Sequence, residues 1–153
     1  MTLLARTADR LLWGARYLER AEGTARVVRA YSDLVFDYSD EMLSWEPLAA
    51  MTGTPDAPLS GEREVLTYML ADRANPSSIV SSVVSARANL RTTREVLPRE
   101  AWQAANQLSQ YVQATCSSAV ERNLRDGFLL RVIEMSRRMV DSIARSISER
   151  ACG

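Results

Sequence analysis

Apolar residues recur with a helical period along most of the chain, and the first long segment shows this best. Projected at about 100° per residue, the stretch from about Thr7 to about Met42 places Leu11, Gly14, Leu18, Ala21, Ala25 and Val28 on one arc. Several of these are small, which predicts a second helix approaching closely. No proline interrupts the segment, and Gly14 and Gly23 cost about 1 kcal/mol each against alanine, so packing can carry the helix. From Pro47 to Gly61 the character changes. Pro47, Pro55 and Pro58 act as breakers, and the stretch reads as one Pro/Gly-rich loop. A second helix is predicted from about Glu62 to Leu70, with Ser60 as its N-cap. Asn75-Pro76 signals a third, from about Pro76 to Val96, because Asn caps well and Pro suits the first turn.

That third helix has an apolar stripe of Ile79, Val83, Ala86 and Leu90 beside a small polar strip of Ser78, Ser82, Ser85 and Asn89. Close helix packing accounts for the strip better than a nucleophile does. Pro98 opens a fourth helix carrying Trp102, Ala105, Leu108 and Val112. A fifth, from about Val120 to Ile147, carries Leu124, Phe128, Met135, Met139 and Ile143. Short connections between such segments predict an all-α fold, an antiparallel helical bundle of about five helices, with residues 1–153 as one domain.

Composition narrows the chemistry. There are 19 basic and 19 acidic side chains, for a formal net charge of zero, and every basic residue is arginine. Without lysine or histidine there is no P-loop lysine, Schiff-base amine, catalytic imidazole or His metal ligand. Arginine without lysine reads most simply as codon bias. The balanced charge argues against a general nucleic-acid binder, since the one adjacent basic pair, Arg137-Arg138, has Glu134 and Asp141 close by. No secretory signal and no run of about 20 apolar residues is seen, which predicts a cytoplasmic protein without a membrane span. Cys116 and Cys152 form neither a disulfide framework nor a zinc pattern. No cofactor or metal is expected.

Two constellations could carry chemistry. On the first helix, Arg16, Glu19, Arg20, Glu22 and Arg26 cluster within three turns. Glu19 and Glu22 could serve as a carboxylate pair for metal binding or acid/base work. Alternatively, Glu22 and Arg26, at i,i+4 with the acid first, form an ion pair on or at the edge of the core. The second constellation is Asp72-Arg73-Ala74-Asn75-Pro76-Ser77-Ser78. It reads first as a capped helix start, with Asn75 or Ser77 satisfying free N–H groups, although a helix N-terminus beside Arg73 could also cradle an anion.

Four blocks together resemble the bacterial alpha-E domain family. They are Arg6 to Arg26, Trp45-Glu46-Pro47-Leu48, Asp72 to Ile79 running on to Ala86-Arg87-Ala88-Asn89-Leu90-Arg91, and Arg99 to Asn106. Family members are commonly about twice as long, so the chain resembles their first half, and Phe128 to Ile147 looks like the stretch leading towards the second. Ala88 stands where the family commonly has a glutamate. The resemblance implies a setting of ATP-dependent amide or peptide bond formation, because genes of the family commonly lie beside a circularly permuted ATP-grasp ligase. The expected role is then a non-catalytic accessory or adaptor with the ligase as partner. The alternatives are an enzyme using the Glu/Arg cluster of the first helix, or a self-associating helical bundle in which a second copy covers the surface of the missing half. Motif positions carried over are Arg16, Glu19, Arg20, Glu22, Arg26, Asp72, Arg73, Asn75, Ser77, Ser78, Arg87 and Asn89.

Overall fold

The computed structural model describes residues 2–38, 43–53, 55 and 57–153. Among these, six α-helices and one short 3-10 turn account for all regular structure, and no strand is present. The helices are α1 (Thr2–Asp37), α2 (Glu46–Ala50), α3 (Gly61–Leu70), α4 (Ile79–Arg91), α5 (Arg99–Thr115) and α6 (Arg122–Ala151), with the 3-10 turn at Ser118–Val120.

The 36 residues of α1 span about 54 Å and form the wall shared by α4 and α6. Its predicted arc is the buried one: Leu11, Leu18, Ala21, Ala25 and Val28 are all inaccessible to solvent. Gly14 is where α4 comes closest, since a Cβ there would lie 2.7 Å from Leu90 Cδ2. Late positions of α1 meet early positions of α6, where Arg29 Nε donates to Asp126 Oδ1 at 2.8 Å and the Arg122 guanidinium lies over the Phe36 ring. On the far side of the core, α5 closes against α4 through Arg87 and Asn106 and against α6 through a Tyr111–Phe128 ring stack.

Several boundaries differ from the sequence expectation. The first helix starts at Thr2 rather than Thr7, and its predicted end at Met42 lies outside the described residues. Pro47 does not break a helix but sits in the first turn of α2, where its missing N–H has no intrahelical partner to lose. Leu48 and Ala49 of α2 are buried, and α2 packs on α3, whose Val65, Leu66 and Met69 belong to the same core cluster. Ser60 precedes α3, yet its hydroxyl makes no capping bond; its backbone N–H donates instead to Glu64 Oε2 at 2.7 Å.

The largest shift concerns α4. It begins at Ile79, capped by Ser78, whose Oγ accepts from Ser81 N–H at 3.1 Å. Asn75 is one turn too early to cap the helix. Its Oδ1 accepts from Ser77 N–H at 3.0 Å and its Nδ2 donates to the Tyr68 carbonyl at 2.9 Å, so it locks the turn that precedes α4. The helix stops at Arg91, five residues before the expected Val96. There the Thr92 and Thr93 hydroxyls take the Asn89 and Leu90 carbonyls and compete with the helical ladder.

In α6, Leu124 was expected to face inward and is 50% exposed; Arg125, its neighbour, is 4% exposed. The inner face of the first turns is set by Arg125, Phe128 and Leu129, and this rotates Leu124 out. Arg125 tolerates burial because partners from several elements meet it. Its Nη2 donates to Glu62 Oε1 and to the Val120 carbonyl, both at 2.7 Å, its Nη1 donates to Ser32 Oγ at 3.2 Å, and its plane lies 5.5 Å from the Trp45 ring centre. One side chain thus joins α1, the entry to α2, α3, the 3-10 turn and α6.

Glu46 makes a second tie in this region, accepting from Gly61 N–H at 2.9 Å across the 51–60 connection. That bond holds the Glu46 carboxyl below the ordinary carboxylate range. A depressed acid stabilises the fold above its unfolded pKa, and that stabilisation is lost as pH falls through the folded value. Glu46→Gln should therefore lower the melting temperature modestly at neutral pH and flatten the acid limb of the profile below about pH 4.5, so that the two proteins converge in acid. Parallel profiles for the two proteins would show that the bond carries no linkage.

Candidate functional site

A concavity of about 440 Å³ opens between α1 and the segment leading into α4, with Arg20 and Arg73 on its walls and Tyr17, Ser81 and Ser85 beside them. Each guanidinium is held by a neutral group. Arg20 lies 5.6 Å from the centre of the Tyr17 ring, which itself sits 6.0 Å from the Trp13 ring. Arg73 Nη2 donates to Gln113 Oε1 at 2.5 Å, and Gln113 is fixed in turn by donating to Ser109 Oγ at 2.8 Å. The turn carrying Arg73 is tied by several hydrogen bonds. Asp72 Oδ1 accepts from Ala74 N–H at 2.9 Å, and the Ser81 hydroxyl reaches back to the Asp72 and Arg73 carbonyls at 3.4 and 3.3 Å. Among the described residues no carboxylate forms an ion pair with Arg20 or Arg73. The concavity therefore presents two positive charges whose hydrogen-bonding capacity is only partly used.

The other sequence candidates separate. Glu22 and Arg26 pair with each other at 3.1 Å, as their spacing predicts, and such a partly exposed i,i+4 pair contributes about 0.3–0.5 kcal/mol. Arg16 and Glu19 are exposed and make no ion pair among the described residues. Asp72, Asn75 and Ser78 are spent on the turn and cap described above, and Ser77 joins the turn through its backbone N–H while Ser78, one residue on, makes the cap. Asn89 donates to the Ser85 carbonyl one turn earlier on its own helix. Arg87 faces α5, with Nε on Asn106 Oδ1 at 2.7 Å and its plane over Trp102. Of the twelve candidates, then, the structure brings Arg20 and Arg73 to one groove.

Sequence reasoning missed Arg125 and Gln113. Nothing in the spacing marks Arg125, because a search for apolar stripes skips a charged residue. Gln113 has no local signal at all; it lies 40 positions from Arg73.

The fold and groove define a helical domain that presents one guanidinium from its first and longest helix and a second from the turn before α4. The chain belongs to the Alpha-E family, whose model matches residues 3–150 and is described as a predicted alpha-helical domain with a conserved ER motif. The dipeptide Glu-Arg occurs at Glu19-Arg20, Glu62-Arg63, Glu121-Arg122 and Glu149-Arg150, and the first of these supplies the Arg20 that lines the groove. No curated protein and no solved structure matches the chain. Among the described residues no helix is long and apolar enough to cross a membrane.

Proposed function

We propose that the chain is a non-catalytic accessory protein of an ATP-grasp amide- or peptide-ligase system, and that it engages a carboxylate-bearing segment of the ligase through Arg20 and Arg73. In this reading residues 1–153 act as one antiparallel helical bundle in the cytoplasm. The observation that supports it is the pair of guanidiniums in one groove, each positioned by a neutral group and neither matched by an acid among the described residues. A guanidinium fork binds a carboxylate in a planar, charge-assisted geometry, so such a groove selects acidic partners. The hydroxyls beside it, Tyr17, Ser81 and Ser85, have no histidine or lysine to activate them, which favours binding over catalysis.

Co-purification with an ATP-grasp ligase from the same organism tests this reading. A complex at micromolar concentration or tighter is expected, and Arg73→Gln or Arg20→Gln should each weaken it by about tenfold or more, as loss of a charge-assisted bond predicts. No complex at micromolar concentration, with ligase activity unchanged by the protein, would overturn the proposal.

A further inference from the structure

The end of α4 carries a second concavity, of about 560 Å³, lined by Arg87, Ala88, Arg91, Thr92, Arg94 and Glu95. Three guanidiniums thus face one carboxylate. A basic residue in the last helical turn ordinarily has an occupation, because exposed carbonyls there attract cations. Here that occupation is taken. Thr92 Oγ1 donates to the Asn89 carbonyl at 2.8 Å, while Thr93 donates to the Leu90 carbonyl through both its hydroxyl and its backbone N–H, at 3.1 and 3.0 Å. Arg91 and Arg94 are exposed, and among the described residues neither guanidinium makes a hydrogen bond or an ion pair. Arg87 is oriented by a neutral amide and a ring: Asn106 Oδ1 takes Nε at 2.7 Å, and Trp102 lies 5.4 Å below the guanidinium. That leaves its two terminal nitrogens without a partner.

We propose that this concavity is an anion site for a small, soluble, phosphate-bearing ligand, distinct from the groove of Arg20 and Arg73. Three guanidinium forks on different stems suit an oxyanion with acceptor oxygens on several sides, whereas a planar carboxylate satisfies one or two of them. The volume lies in the range of small-molecule sites, about 300–1,000 Å³. A membrane surface is a poorer match, because no large apolar side chain lines the concavity to enter the headgroup region.

Calorimetric titration with inorganic pyrophosphate at low ionic strength tests the assignment. One saturable event is expected, weakening as salt is added. Arg91→Ala/Arg94→Ala should weaken it at least tenfold with an unchanged melting temperature, since both side chains are exposed. Ala88→Glu, which puts a carboxylate into the concavity from an exposed helical position, should do the same. Arg73→Gln should leave it intact, which separates this site from the proposed ligase contact. Four outcomes would overturn the proposal: no saturable binding up to millimolar pyrophosphate, equal binding by the double variant, equal affinity for succinate, or binding to phosphatidylserine vesicles without binding to pyrophosphate.

Discussion

Arg125→Met should lower stability by about 2–4 kcal/mol. The guanidinium supplies three hydrogen bonds and one ring contact, and Met supplies none of them. The Val120 carbonyl would lose its donor in a buried setting, which alone costs about 1–3 kcal/mol. Loss of the Trp45 contact adds about 0.5–2 kcal/mol. Two facts reduce the sum. The Glu62 side chain is 37% exposed, so it regains water when its partner is removed, and Arg125 Nε is already buried without an acceptor. Met also keeps much of the volume and brings no desolvation cost. Arg125→Lys should recover little, because one ammonium cannot reach Glu62, Val120 and Ser32 in fork geometry. Urea unfolding at neutral pH provides the measurement; a loss under about 1 kcal/mol for Arg125→Met would show that this junction is dispensable.

Gly14→Val should cost about 2–3 kcal/mol, while Gly23→Ala on the same helix should stabilise by about 0.5–1 kcal/mol. The two glycines carry the same intrinsic helix penalty, so the opposite signs come mainly from packing, with the lower helix propensity of Val a smaller contribution. A Cβ at Gly14 would meet Leu90 Cδ2 at 2.7 Å and Cγ at 3.0 Å, and Leu90 is itself fully buried, with little room to turn aside. Overpacking of this kind typically costs about 1–3 kcal/mol, and a β-branched side chain adds stiffness within a helix. At Gly23 an added Cβ meets nothing within 4 Å, so only the backbone entropy gain remains. Thermal unfolding of the two variants against the parent decides the point: equal shifts in one direction would mean that the α1–α4 approach is not close-packed.

Much of the helical core could be read from the residues because its information is periodic. The arc from Leu11 to Val28, the stripe from Ile79 to Leu90 and the pairing of Glu22 with Arg26 need nothing beyond positions three or four apart. What escaped had other causes. α2 has five residues, too few to show a period, and opens on a proline that reads as a breaker. Asn75-Pro76 imitates a cap because Asx turns and helix N-caps use the same side-chain acceptor, and only the position of Ser78 decides which forms. Arg125 was invisible since a charge is buried only when partners from distant segments gather around it. The groove was half legible: Arg20 and Arg73 each stood out within a motif, but their meeting depends on how α1 crosses the start of α4.

The position of α1 as common wall also orders events in time. Its buried arc packs on α4 and on α6, and the Arg29–Asp126 and Ser32–Arg125 bonds join positions 97 and 93 residues apart. During synthesis α1 leaves the ribosome before either of its neighbours has been made. The apolar face of Leu11, Leu18 and Val28 then waits uncovered until about residue 91 supplies α4, and the remaining side waits for α6. At about 5–20 residues per second that interval lasts several seconds, far longer than a helix needs to form. The nascent chain therefore passes through a period as a long amphipathic helix without its partners, which is the stage at which chaperone engagement or aggregation would act on this protein.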